Sequence, residues 1–296
     1  MLFRKKEKID KLAALGTTPF YEVWQSLKSN KRAMIGLGFI VFIVLLAIFA
    51  DVLAPYGMRE QNLANALAKP SFSHWMGTDD LGRDVLSRVI YGTRTSISIG
   101  FLSILIALVI GGGLGVIAGY FKGVTDAVIM RICDVLLSIP SILLAIAIVA
   151  SFGGGLLNLV VAIAIGNIPI FARMIRSSVL GLTERQFIEA SHALGSSHFR
   201  IITKHIIPNT LSPIIVQVSM GIAGAILSAA GLGFIGLGLE ASVAEWGLML
   251  SNGRAYMRTD MYLTIFPGLA IMFSILAFNM LGDGIRDALD PKLRER

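Results

Sequence analysis

The chain has 296 residues, 55% of them hydrophobic and only 15% charged, with a mean hydropathy of +0.74. Soluble domains carry about 25% charged residues, so one water-soluble core cannot absorb this apolar excess, whereas a bilayer can. The formal net charge of +7 sits at the ends of apolar runs, which makes it a topology signal and argues against nucleic acid as a partner.

A spanning helix needs about 20 mostly apolar residues. Six stretches qualify, at roughly 33–53, 97–119, 128–150, 156–174, 211–238 and 262–281. The first is too long for a signal-peptide core and follows a basic segment, so it reads as an uncleaved anchor. With the N-terminus placed in the cytoplasm, nineteen Lys and Arg residues fall on the inner side and seven on the outer side. That bias predicts both termini inside. The expected fold class is an all-α membrane protein with six transmembrane helices. Its parts are a cytoplasmic N-terminal segment (1–32), a first transmembrane helix (33–53), an external segment (54–96), a core of five further transmembrane helices (97–286) and a cytoplasmic tail (287–296).

In the external segment, Thr78 is placed to cap a helix with Asp79 and Asp80 in its first turn, and Val85, Leu86, Val89 and Ile90 give an apolar stripe. The expectation is a short helix lying on the membrane surface, with solvated acidic residues. Asp79, Asp80 and Asp84 lack calcium-loop spacing, and His74 stands alone, so no metal site is expected. Within the second span, Gly111, Gly115 and Gly119 recur every four residues and offer a smooth face to another helix. Arg131 and Asp134 are three apart in the third stretch. They are placed to pair, or Arg131 to snorkel at the cytoplasmic boundary. The lone Cys133 reads as a small core residue. Asn158 and Asn167 are the remaining polar residues of the spans. Pro140, Pro169 and Pro267 fall inside spans, where each removes an N–H and can kink its helix. Gly231, Gly233, Gly236 and Gly238 extend the small-residue theme to the fifth span. Beyond it, Trp246 and Tyr256 suit an interface belt or contact with an external partner.

One polar stretch separates the fourth and fifth spans: RQFIEASHALGSSHFRIITKHIIPN, residues 185–209. Thr183 and Gln186 form a capping box. Phe187, Ala190, Ser191 and Leu194 share a face, and Gly195 is a plausible C-cap. Ser196 or Ser197 then caps a second helix carrying Phe199, Ile202 and Ile206, which Pro208 is expected to stop. The expectation is helix, Gly turn, helix: a stiff elbow joined to two spans, or a surface-lying amphipathic helix with no partner. His192, His198 and His205 are spaced by six and seven, not the three or four that bring two ligands to one metal. No P-loop pattern occurs anywhere, so this chain does not itself hydrolyse ATP by that route. The spans hold no nucleophile–base pair for an intramembrane enzyme, and no internal repeat supports a stand-alone secondary transporter.

The stretch resembles the EAA loop of the membrane subunits of binding-protein-dependent ABC importers. Glu189, Ala190, Gly195, Ile207 and Pro208 match, Ser191 replaces the second Ala, and His205 stands where Ile is preferred. Residues 77–96 (GTDDLGRDVLSRVIYGTRTS), 245–254 (EWGLMLSNGR) and 278–294 (FNMLGDGIRDALDPKLR) resemble the C-type permease of the dipeptide, oligopeptide and nickel branch. The resemblance runs from about residue 20 to the C-terminus. It implies a type I importer permease in the bacterial or archaeal inner membrane, importing di- or oligopeptides, with nickel, metal chelates or glutathione as alternatives. It implies a B-type permease partner, two ATPase subunits that hold the ATP and Mg, an extracytoplasmic binding protein, and no cofactor or enzymatic activity in this chain. By the same resemblance, Glu189, Ala190, Ser191, Leu194, Gly195, Ser196, Ser197, His198 and Phe199 contact an ATPase. Asp283 and Arg286 near the C-terminus either touch it too or pair with one another at the helix end.

Overall fold

The computed structural model describes residues 19–289, with side chains from residue 24, so most of the N-terminal segment and the last seven residues of the tail lie outside the described residues. Twelve α-helices are described: α1 (Pro19–Ser29), α2 (Lys31–Ile48), α3 (Ala50–Leu53), α4 (Val85–Phe121), α5 (Gly123–Leu137), α6 (Ser141–Phe152), α7 (Leu156–Thr183), α8 (Gln186–Ala193), α9 (His198–Ile201), α10 (Ile207–Phe234), α11 (Trp246–Gly253) and α12 (Tyr262–Leu289). A π-helical turn, Ile202–Ile206, joins α9 to α10. Among the described residues there is no strand, only an isolated bridge between Thr78 and Asp84.

Five helices are long and apolar enough to cross a bilayer, and α5 with α6, bent by 83° at their junction, count as a sixth crossing when the pair is taken as one broken span rather than a re-entrant loop. The stretch expected as one continuous span over 128–150 is therefore broken. Pro140 has no N–H and disfavours a helical residue before it, so the α5 ladder ends and α6 restarts at Ser141. Pro169 and Pro267, by contrast, sit inside α7 and α12.

The second span also differs from expectation. Asp84, not Thr78, caps it: its carboxylate accepts from the Ser87 amide at 2.8 Å. The helix then runs 37 residues without a break to Phe121. The short surface helix expected before it is simply the start of α4. At 1.5 Å per residue α4 is roughly 55 Å long, well beyond a hydrocarbon core of about 30 Å.

The small-residue face works as the spacing predicts. A Cβ on Gly115 would lie 2.5 Å from the Ala172 carbonyl oxygen, and one on Gly119 would lie 2.8 Å from Val179 Cβ. Gly111 meets Ile168 in the same way. Side chains longer than hydrogen would hold α4 and α7 apart, so their backbones meet only because these residues are Gly. On the other side of the bundle, Gly36 of α2 approaches the Ala277 carbonyl of α12 equally closely. Of the four glycines near the end of α10, only Gly233 makes such a contact within the helix, against Glu245 and Leu248. Two ion pairs tie α5 to α7: Asp126 with Arg176, and Asp134 with Arg173. Asp134 therefore pairs across helices and not with Arg131, which is exposed.

The external segments fold onto the bundle. Asp79 accepts from Leu81 and Arg83 amides at 3.0 and 2.9 Å and from Arg83 Nε at 2.6 Å, with Arg88 Nε 3.7 Å away. Arg83 and Arg88 are buried and also donate to the carbonyls of Ala241 and Val243. His74 Nδ1 lies 2.9 Å from Asp84. Asp79 is therefore a half-buried anchor and not a solvated cap; of the three aspartates only Asp80 is exposed. Trp246, expected at an interface, is 2% exposed in a second core with Val85, Met249 and Leu263, and its ring N–H donates to Val89. Glu245 caps α11, accepting from Gly247 and Leu248 amides at 2.8 and 2.7 Å and from Ser96. Burial pushes its carboxyl up, against the pull of those three donors.

A candidate coupling elbow between α7 and α10

The elbow starts later than the capping-box reading places it. Helix α7 continues through Thr183, whose hydroxyl donates back to Leu180. Arg185 holds the N-cap position of α8 with no side-chain cap bond. The other end of α8 is as expected. Gly195, at φ +76, takes the left-handed conformation. Its amide donates to His192 at 2.9 Å, and that of Ser196 donates to Ser191 at 3.1 Å. These are the two bonds of a Schellman cap, and they need a residue without Cβ strain at Gly195. Ser197 then caps α9 through its hydroxyl, accepting from the Arg200 amide.

Pro208 does not stop the second arm. The chain takes a wide π turn over 202–206 and runs on into α10, with Pro208 in its first turn. A π turn spaces the backbone so that the missing N–H and the ring of Pro208 need not disrupt the ladder. The Asn209 side-chain amide donates to the His205 carbonyl at 2.6 Å, satisfying one acceptor there.

The two arms are fastened from beneath. Ile188, Ile201 and Ile206 are almost fully buried in the main core. Each such side chain contributes roughly 1.5–3 kcal/mol when buried. The expected stripes therefore divide: Ile206 faces the core, while Leu194 is 86% and Phe199 77% exposed. Glu189, Ala190, Ser197 and His198 are also exposed, and Ser191 and Ser196 are half-buried. Of the nine residues expected to contact a partner, seven are exposed and two half-buried, on either side of the Gly195 turn. Two large apolar side chains, Leu194 and Phe199, thus stand exposed on an elbow whose base is rooted in the core.

Beside it opens a cleft of about 510 Å³, lined by Tyr120, Phe121 and Lys122 from the end of α4 and by Thr183, Glu184, Ile188, Glu189, His192 and His198. Tyr120 was not legible as part of this site, because nothing in the local pattern of a long apolar helix marks its last turn as an elbow contact. The cross-helix pairs were partly legible: Asp126 and Asp134 are eight apart, Arg173 and Arg176 three apart, so each set shares a helix face. The polar residues within spans have local partners: Asn158 closes the end of α6 through Phe152 and Gly153, and Asn167 bonds back to Ile163. Among the described residues no cluster of His, Cys, Asp or Glu has metal-binding geometry. Asp283 and Arg286 form no ion pair with one another.

Two family models match the chain. Residues 111–295 match the binding-protein-dependent transport system inner membrane component, and residues 18–70 match the N-terminal transmembrane domain of oligopeptide transport permease C. The chain is 50% identical over 277 residues to the dipeptide transport system permease protein DppC of Alkalihalophilus pseudofirmus, covering 94% of this chain and 91% of that one. It is 45% identical over 281 residues to the glutathione transport system permease protein GsiD of Escherichia coli O157:H7, covering 94% of this chain and 92% of that one. Among solved structures, an inward-facing MetNI methionine ABC transporter has a chain of the same fold, with TM-score 0.55 at 19% identity, over 69% of this chain and 97% of that one. The chain belongs to the binding-protein-dependent transport system inner membrane components, and is a multi-pass inner-membrane permease subunit of an ABC importer.

Proposed function

We propose that this chain is the C-type permease of an ATP-driven importer of di- and oligopeptides, and that the elbow over 183–209 couples it to an ATPase. The observation that carries the coupling role is the division of the elbow's apolar residues. Ile188, Ile201 and Ile206 root it in the core, and Leu194 and Phe199 are left for another chain. In the complete transporter a B-type permease forms the other half of the path, two ATPase subunits bind ATP and Mg, and an extracytoplasmic binding protein delivers substrate. The lysine and arginine bias supports both termini in the cytoplasm, on the elbow side. The energetic logic is population shift: ATP moves the permease only through a difference in affinity for its two states, delivered through the elbow.

The 50%-identical dipeptide permease supports peptides as the substrate class. The second reading, glutathione, is carried by the relatives at 44–45% identity. Uptake of a labelled dipeptide by proteoliposomes holding the whole transporter, with and without excess glutathione, separates the two. In the same assay, Glu189→Arg with Gly195→Pro is expected to lower uptake per ATP hydrolysed by about tenfold or more, equivalent to roughly 1.4 kcal/mol of lost coupling. Unchanged uptake per ATP would count decisively against the coupling role.

A further inference from the structure

The elbow is covalently joined to α7 and α10 alone, yet its two arms are also held by the end of a third long helix. Tyr120 lies in the last turn of α4. Its Oη is 2.7 Å from His198 Nδ1 and 3.2 Å from His192 Nε2. His192 lies in the last turn of α8 and His198 begins α9, so the single hydroxyl bridges both sides of the Gly195 turn. A phenol has one proton to donate and lone pairs to accept. It can therefore donate to a bare imidazole nitrogen on one side while accepting from a protonated one on the other, so a suitable pair of tautomers satisfies both bonds at once. The rings reinforce this arrangement: the two imidazoles lie 5.5 Å apart edge to face, and the His192 ring stacks on Tyr120 with a 21° tilt. Beside the clasp, Lys122 Nζ approaches Glu184 Oε1 at 3.9 Å, a weaker and more exposed tie from the end of α4 to the end of α7.

We infer that Tyr120 is a positioning residue for transport: its hydroxyl locks the two arms of the elbow together and passes their displacement into α4. The inference rests on the coupling role of the elbow. Helix α4 is suited to receive such a push. It is one unbroken rod whose smooth glycine face rides on α7, and its far end is anchored by Asp84 in the external layer. Without the clasp, the elbow acts on α7 and α10 only, and each arm can turn about Gly195 separately.

The test uses the whole transporter reconstituted with its ATPases and binding protein. Tyr120→Phe removes the hydroxyl and keeps the ring. Uptake per ATP hydrolysed is expected to fall by about fivefold or more, the factor matching loss of at least one of the hydroxyl's two hydrogen bonds. Subunit assembly and melting temperature should stay at the wild-type level. A residue that only stiffened the fold would instead lower the melting temperature and move uptake and hydrolysis together. A second pair of variants reads the same bond from the other side. His192→Gln places an amide where Nε2 stood and should retain most of the ratio, whereas His192→Leu should lose it. A wild-type ratio in Tyr120→Phe, or equal losses in the two His192 variants, overturns the inference. Glu189→Arg run in parallel distinguishes the failures. If it uncouples while Tyr120→Phe does not, only the clasp falls; if it too leaves the ratio unchanged, the coupling role of the elbow falls with it.

Discussion

At the scale of single residues, the polar groups decide more than their number suggests. Glu245 is nearly completely buried, yet it accepts three hydrogen bonds at the head of α11. Desolvation outweighs those donors and raises its carboxyl, so the folded chain holds this proton at a pH where the unfolded chain has lost it. The sign follows: this site's contribution to stability is greatest below the unfolded value near 4.3 and declines as pH rises through the folded value. The thermal melting profile of detergent-solubilised protein should carry that downward slope, and Glu245→Gln, which does not titrate, should remove it. None of this was readable beforehand, because a Glu before a Trp looks like any exposed cap until the fold closes over it. The Gly195 turn is the opposite case. Its left-handed backbone follows from local chemistry, and the sequence places it correctly.

At the scale of elements, helix-to-helix distance is set by what is missing from side chains. Gly115→Ile forces new atoms into a gap where a single Cβ already lies 2.5 Å from a backbone oxygen. Overpacking of this kind costs about 1–3 kcal/mol, and parting α4 from α7 should put the loss at the upper end, visible as a lower melting temperature and a reduced yield of assembled complex. The broken span is held to α7 by charge. Asp126→Ala leaves the half-buried Arg176 without its partner and should cost about 1.5–3 kcal/mol, the range for hydrogen bonds to charged groups. The exchange Asp126→Arg with Arg176→Asp should recover much of that loss if the pair acts as a clamp. A thermal-stability cycle over the four variants gives the coupling directly. Element positions were well anticipated because bilayer thickness imposes them. Element boundaries were not: Thr183, Thr78 and Pro208 are all plausible punctuation, but α7 runs through Thr183, α10 includes Pro208, and α4 starts only at Val85, beyond Thr78.

At the scale of the whole molecule, α4 links an external layer pinned by Asp79, Arg83, Arg88 and Asp84 to the elbow on the far side. An even number of crossings returns the chain to the side on which it started. Six crossings therefore predict that single cysteines introduced at residue 24 and at residue 289, in a Cys133→Ser background, behave alike, and the orientation proposed from the Lys and Arg bias predicts that both are shielded from an impermeant thiol reagent in intact cells. Labelling of just one of them would refute the six-crossing topology. The sequence by itself determined the five long apolar helices and the apolar stretch of the bent pair, the glycine face of α4 and the helix–turn–helix form of the elbow, because these depend on composition and on contacts a few residues apart. Only the tertiary structure decided the 83° break before α6, the burial of Trp246 and Glu245, the pairing of Asp79 with two arginines, the cross-helix ion pairs and the Tyr120 clasp. Each of those joins or covers groups far apart along the chain. A local pattern can offer a charge or a ring, but only the packed bundle says what stands opposite it.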